Sequence, residues 1–526
     1  MTHQLKVVGV LLLAMFLALF VNLNYLQVLR ADDLANDNRN SRQLIREYEI
    51  RRGLMLAGDD ATEVARVERT DGTLRYRRQY TDGPLYAHST GYFSVVFGRS
   101  ELESSFNDYL IGSAPEAFTR NLTDLLAGRE RTGDDLVLTL HPQVQQAARE
   151  ALGDRRGAVV ALEPRTGAIL ALWSAPSYDP NRLSSHDRTE INTYWDELQD
   201  DPARPLVNRA VREWYPPGST FKLVVAAAAL EQGVAPDRTY PDPVELELPQ
   251  TTATIRNFGR GTCHGGAPIT LVEAMVVSCN TTFAQIGLDL GAAALAEQAE
   301  AFGFNDQIIE QLPSPLDSHF PAELNPPQTA QAAIGQFDVR STPLQMALVS
   351  SAIANNGVLM RPHLVREVLD DRGERIARFG AEPFAPSGRG DAQAVSQETA
   401  RHLRDMMVRA VAAGTGRAAA IDGVDVAGKT GTAEGGEGPP TVWFSGFAPA
   451  GDPRVAVAVV LEDGGDAGEG ATGGAVAAPV ARVVLEAALA ATDGGAAAAG
   501  SLAHDAQQQY RPVATPRTTT SRTASG

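Results

Sequence analysis

Lysine is nearly missing from this chain: Lys6, Lys222 and Lys429 stand against 43 arginines (46 basic residues less 3). Arginine stays charged at any working pH, whereas a desolvated lysine can lose its proton and serve as a base. Writing almost every cation as Arg, yet keeping Lys inside Ser219-Thr220-Phe221-Lys222 and Lys429-Thr430-Gly431-Thr432, marks two places where amine chemistry is wanted. Cysteine is equally scarce. Cys263 and Cys279 lack C-x-x-C spacing, which does not support a cysteine metal site, and the nine histidines include no H-E-x-x-H of a zinc hydrolase. Positive charge is not in excess either. A net charge of −18 argues against nucleic acid as a partner, because phosphate binding needs clustered cations. No metal or organic cofactor is indicated.

What is present is ordinary for a folded protein: 526 residues, 44% hydrophobic and 21% charged, enough for two or three domains with a large core. Val7 to Leu29, interrupted only by Asn22, Asn24 and Gln27, is long enough to cross a bilayer as a helix. Lys6 precedes it, Asp32 and Asp33 follow Arg30, and no A-x-A cleavage site appears. The expectation is an uncleaved membrane anchor at 7–29, with residues 1–6 cytoplasmic and the rest outside. In that compartment Cys263 and Cys279 are either bridged, worth about 3 kcal/mol by loop entropy, or two separate buried thiols.

Residues 30–135 mix strand-like runs (Ser94-Val95-Val96-Phe97) with turns (Thr81-Asp82-Gly83-Pro84), so a small non-catalytic module is expected. From 136 to 491 the texture changes. Gly157–Leu162 and Ala168–Trp173 flank the turn Glu163–Gly167 as a hairpin, Val455–Leu461 follows Trp443–Phe447, and Pro142–Leu152 and Val480–Ala490 are helical. These pieces predict an α+β domain, a mostly antiparallel sheet carrying helices. Residues 492–526 have little to bury and are expected to be a disordered tail.

Pro216-Pro217-Gly218 places Ser219 at the start of an apolar helix, with Lys222 three positions on and on the same face. A serine hydroxyl is a weak nucleophile until a neighbour takes its proton, and a neutral lysine can do so. Ser278 and Asn280, two apart in a connecting loop, can point into one cleft. Lys429, Thr430 and Thr432 suit a free carboxylate, and Gly431 lets another backbone approach.

Ser-x-x-Lys, Ser-x-Asn and Lys-Thr-Gly occur in this order, 59 residues from Ser219 to Ser278 and 151 from Ser278 to Lys429. The chain thereby resembles the penicilloyl-serine transferases. Gly157 to Asn181, Tyr215 to Lys222, Gly335-Gln336, Thr342-Pro343-Leu344-Gln345 and Gly414-Thr415-Gly416 agree with it. The anchor, the module with Arg52-Gly53 and the absence of a glycosyltransferase domain are similar to class B penicillin-binding proteins, notably the actinobacterial penicillin-binding protein A type. The resemblance covers roughly residues 35 to 490.

It implies a penicilloyl-serine-transferase fold with an all-helical part beside the sheet, after a pedestal or dimerisation-like module. It also implies peptidoglycan D,D-transpeptidation, inhibited by β-lactams, in cell-wall synthesis for division or elongation. Ser219 would attack the D-Ala-D-Ala stem peptide and Lys222 would be the base. Ser278 and Asn280 would relay protons and hold the peptide amide. Lys429, Thr430, Gly431 and Thr432 would form the carboxylate site, Lys429 biasing Lys222 toward neutrality. The main-chain amides of Ser219 and Thr432 would receive the oxyanion. Lipid-linked precursors and a membrane-embedded glycosyltransferase are the implied partners. A D,D-carboxypeptidase and a catalytically weak β-lactam-binding scaffold or sensor stand as the alternatives. A Cys263–Cys279 bridge would tether the Ser-x-Asn loop and make acylation sensitive to reductant.

Overall fold

Runs of apolar residues without alternation decide the centre of the molecule. Gly157–Leu162 and Val455–Leu461 are buried at every position. A strand covered on both faces has no side to write in polar residues. They lie inside a five-stranded antiparallel sheet whose order is Ala427–Ala433, Thr441–Ala448, Val455–Leu461, Gly157–Leu162, Ile169–Ala175. The computed structural model describes residues 2–26, 30, 41–117, 130–433 and 438–492. The end of the expected anchor at 27–29 and the expected tail from 493 lie outside these.

Helix Pro343–Ala354, buried throughout and started by Thr342 capping Gln345 N, packs on the central strands. Gln397–Ala412 packs on the edge strand Ala427–Ala433. A helical part adjoins them, built around Lys222–Glu231, in which every residue but Glu231 is buried. A helix apolar all round must be a core helix, and Asn280–Leu290, Ala292–Ala301 and Gln397–Ala412 surround it. The expected α+β architecture, with an antiparallel sheet and an all-helical part, is what the chain forms.

A second, six-stranded sheet joins the N-terminal module to the rest of the chain, in the order Arg375–Arg378, Val365–Leu369, Asp135–Leu138, Met55–Ala57, Thr62–Arg69, Tyr76–Tyr80. Two of these strands come from more than 200 residues downstream of Asp135 (365 less 135 is 230), so the module and the catalytic region share a sheet. Beneath it the buried Glu103 carboxylate takes Arg52 Nε and Arg78 Nε, each at 2.5 Å. Burying these charges is tolerable only because they are mutually paired. Glu101 grips Arg212 through both guanidinium Nη atoms, at 2.6 and 2.9 Å. That pair ties the module to the segment that leads into Ser219.

Thr2–Asn24 is a helix, and its Lys6–Asn24 part is apolar with mean hydropathy 2.4 and none of it buried. Its 19 residues rise about 28 Å, close to a bilayer core. Gly473–Thr492 is also apolar but half buried, with Val480, Val484, Leu485 and Ala488 in the core, which makes it a core element. Two local expectations need correction. Of Ser94–Phe97 only Ser94 is in a strand, in the two-residue pair Phe93–Ser94 with Gly98–Arg99, and Val95–Phe97 is the turn. Tertiary packing overrides strand propensity there, as Phe97 stacks on Trp195 with ring centres 4.1 Å apart. Asp82-Gly83-Pro84 does not simply turn; it starts helix Gly83–Thr90.

Candidate active site

The edge strand Ala427–Ala433 leaves one side free, and the serine segment fills it. A side chain at Gly431 would meet Pro217 O at 2.9 Å, and one at Gly218 would meet Thr432 O at 2.9 Å. On its other flank Gly218 meets Gly335, which takes φ +71° and whose carbonyl accepts from Gly218 N at 3.0 Å. A Cβ on Gly335 would fall 2.1 Å from Gly218 O. Trp443 Nε1 donates to Pro216 O at 3.0 Å and Thr220 Oγ1 to Pro217 O at 2.7 Å. The turn is thus fixed on all sides, and Gly218–Phe221 leaves it as a single 3₁₀ turn that runs into helix Lys222–Glu231. Ser219, half-buried, stands at that helix start, three residues before Lys222 on the eclipsed positions of a 3₁₀ turn.

Lys222 Nζ is fully buried and donates to Ser278 O at 2.8 Å and Asn280 Oδ1 at 2.7 Å, with Ser278 Oγ at 3.3 Å. Among the described residues Ser219 Oγ has no hydrogen-bond partner. Ser278 ends helix Leu271–Val277 in the left-handed conformation, φ +62°, uncommon for a residue with a Cβ, and this turns the chain so that Ser278 and Asn280 both reach Lys222. Lys429 Nζ completes the group, donating to Ser278 Oγ at 2.7 Å and to Thr430 O at 2.9 Å. Lys222, Ser278, Asn280 and Lys429 therefore form one network around the Ser278 hydroxyl.

Burial pushes Lys222 well below the ordinary lysine value, and the charge of Lys429 pushes it further. Lys429 is itself pushed down to about 7 by burial. The Phe283 ring lies 5.4 Å from Lys222 Nζ as an apolar wall. Alternation along the strand separates Lys429 and Gly431 from Thr430 and Thr432. Thr430 Oγ1 meets Thr415 Oγ1 at 2.7 Å, and Thr432 Oγ1 accepts from Gly473 N at 3.2 Å.

Behind the Ser-x-Asn turn, Cys263 and Cys279 form a disulfide. Asp242 receives the loop at Cys263 N (2.7 Å), His264 N (2.5 Å) and Gly266 N (3.1 Å), and Asn257 receives Asn280 N at 2.9 Å. Asp242 and Asn257 escaped the sequence reading. Each acts by contact from 15 or more residues away along the chain (257 to 280 is 23), and no local motif signals it.

A half-buried serine at a helix start, a buried low-pKa lysine one turn on, and a second amine sharing a serine hydroxyl define a serine acyl-transferase of the penicilloyl-serine kind. The model of the penicillin-binding protein transpeptidase domain matches residues 157–486, and that of the penicillin-binding protein A dimerisation domain matches residues 52–136. The chain belongs to the penicillin-binding protein transpeptidase family, in its class B. It is 42% identical over 505 residues to the peptidoglycan D,D-transpeptidase PbpA of Mycolicibacterium smegmatis, covering 93% of this chain and 99% of that one. It is 40% identical to PbpA of Mycobacterium tuberculosis with the same coverage. Among solved structures, the ceftriaxone acyl-enzyme of M. tuberculosis penicillin-binding protein A superposes with TM-score 0.79 at 40% identity, over 85% of this chain and all of that one. A D,D-transpeptidase domain from Eggerthella lenta gives TM-score 0.72 at 38% identity, over 84% of this chain and 99% of that one.

Proposed function

We propose that the chain is a membrane-tethered peptidoglycan D,D-transpeptidase in which Ser219 is the nucleophile and Lys222 its base. One observation carries the role of Lys222. A neutral amine has two hydrogens and one lone pair, and Ser278 O and Asn280 Oδ1 take both hydrogens at 2.8 and 2.7 Å. The lone pair is left for a hydroxyl proton: Ser278 Oγ lies 3.3 Å from Nζ, and Ser219, one turn before Lys222 on the same helix start, is the proposed donor in acylation.

Ser219 Oγ forms a bond to the penultimate D-alanine carbonyl carbon as its proton passes to Lys222. The main-chain amides of Ser219 and Thr432 receive the oxyanion, with the helix N-terminus adding to its stabilisation. As the tetrahedral centre collapses, the peptide C–N bond breaks and terminal D-alanine leaves, its nitrogen protonated from the Ser278 hydroxyl. Ser278 is reprotonated from Lys222, 3.3 Å away. Lys429, Thr430 and Thr432 hold the terminal carboxylate and Asn280 the stem amide. An amine of a second stem peptide then attacks the ester carbon and gives its proton to Lys222; the ester C–O bond breaks, and Lys222 passes that proton back to Ser219 Oγ. A β-lactam offers the same acyl carbon and carboxylate, but its nitrogen stays attached to the adduct after ring opening, so the acyl-enzyme persists.

The division proposed is an anchor at 7–29 crossing once with residues 1–6 inside, a module at 30–135, a transpeptidase domain at 136–491 and a tail at 492–526. The exposed apolar helix supports the anchor. The module is the part proposed to meet a membrane-embedded glycosyltransferase that polymerises lipid-linked precursors. Ser219→Ala is expected to abolish labelling by a fluorescent penicillin while circular dichroism stays unchanged. Continued labelling of that variant would refute the assignment.

A further inference from the structure

Asn257 is 7% exposed, lies outside all three motifs and commits both ends of its side chain. Its Oδ1 accepts from Asn280 N at 2.9 Å, Thr281 N at 3.0 Å and Thr281 Oγ1 at 3.3 Å. Its Nδ2 donates to Gly261 O at 3.1 Å and Pro243 O at 3.4 Å. Helix Asn280–Leu290 begins after Cys279, whose side chain makes no cap hydrogen bond. The orphan N–H groups of a helix start need an acceptor, and here a residue 23 positions upstream supplies it.

The neighbouring carbonyl completes the arrangement. Arg256 O accepts from Asn280 Nδ2 at 3.0 Å, so the other end of that amide, Oδ1, is the one turned to Lys222 at 2.7 Å. The main chain and the orientation of Asn280 are therefore both set by residues 256 and 257, at the end of strand Thr254–Arg256.

We propose that Asn257 is a positioning residue for acylation: it fixes Asn280 and Thr281, and through Asn280 Oδ1 it fixes where the Lys222 amine points. This rests on the reading of Lys222 as base. Without Asn257 two N–H groups at the start of the helix lose their acceptor. Asn280 is then free to leave Lys222, and the released hydrogen of the amine can turn toward Ser219 in place of the lone pair. The carboxylate site on Ala427–Ala433 is untouched by this. The expected signature is a fall in the acylation rate constant with unchanged affinity in the complex that precedes it.

The two ends of the side chain allow a discriminating test. Asn257→Ala removes both; Asn257→Asp keeps the oxygen that faces Asn280 and loses the donor to Pro243 and Gly261. Full-length protein in detergent is mixed with a fluorescent penicillin in a stopped-flow, and melting is followed in parallel. N257A is expected to acylate on the order of 10- to 100-fold more slowly with pre-acylation affinity unchanged. N257D is expected to keep the wild-type rate within about threefold even where its melting temperature drops. A less than threefold loss in N257A, or an equal loss in N257D, overturns the proposal. If N257A does not fold, N257D decides by the same threefold line. Lys222→Ala run alongside separates the failures: normal acylation in K222A overturns the base assignment, whereas a dead K222A beside an undisturbed N257A overturns only the role of Asn257.

Discussion

Replacing Lys429 by Met is expected to stabilise the protein while removing its hold on the donor carboxylate. Lys429 is fully buried, and burial moves it from 10.5 down to about 7. A displacement of that size corresponds to on the order of 5 kcal/mol of folding free energy at neutral pH. Methionine has similar reach and no charge to desolvate. Against the gain stands the Thr430 carbonyl, which loses its donor at 2.9 Å, a cost of roughly 1–3 kcal/mol. Ser278 Oγ still has Lys222 at 3.3 Å. The net is roughly 2–4 kcal/mol in favour of the variant, a rise of roughly 3–5 °C in melting temperature for a domain of this size.

The sign with pH is specific. The unfolded chain keeps Lys429 protonated up to about 10.5, so its burial costs nothing above that value. The cost grows as pH falls toward about 7 and is constant below. The advantage of K429M is therefore greatest at and below neutral pH and disappears toward about pH 10.5. Scanning calorimetry of detergent-solubilised protein between about pH 6 and about pH 10 measures it. A melting temperature that falls at neutral pH, or a difference independent of pH, would refute the reasoning.

Three further outcomes are expected. The second-order acylation constant is bell-shaped in pH, with an alkaline limb near 7 set by Lys429 and an acid limb set by Lys222; at saturation the alkaline limb moves up, because a bound carboxylate keeps Lys429 charged. A limb that does not move between the two regimes contradicts the carboxylate role. Gly335→Ala places a Cβ 2.1 Å from Gly218 O at φ +71°, so the serine turn must shift, and acylation is expected to fall on the order of 100-fold. Wild-type acylation in that variant would mean that the Gly218–Gly335 contact does not position Ser219. Cys263→Ser with Cys279→Ser is expected to cost about 3 kcal/mol of stability and to slow acylation less than N257A does, since Asn257 and Asp242 keep their contacts. Rates identical with and without the bridge would show that it tethers nothing relevant to catalysis.

The features written locally were legible in the sequence. The hairpin declared itself at 157–173 by two apolar runs around Glu163–Gly167, the second of which the structure carries to Ala175, and Val455–Leu461 by its unbroken aliphatic run. The buried lysines were legible because the chain spells nearly every other cation Arg. What the sequence hid depends on contact. Strands Val365–Leu369 and Arg375–Arg378 join a sheet begun at Met55, and no short-range pattern points across that gap. Arg52, Arg78 and Glu103 look like surface residues until their mutual pairing inside the module is seen. Ser278 gives no sign of its left-handed backbone, nor Asn257 of the helix it caps from afar.

The claim that Ser219 forms the acyl-enzyme and that an amine resolves it is tested most directly by mass spectrometry. The purified protein is incubated with a D-Ala-D-Ala stem peptide and an acceptor amine, quenched and digested. An acyl adduct is expected on the peptide that carries Ser219, none in S219A, and an amide-linked product that exceeds the hydrolysed one. An adduct on another residue, or hydrolysed donor as the sole product, would contradict it.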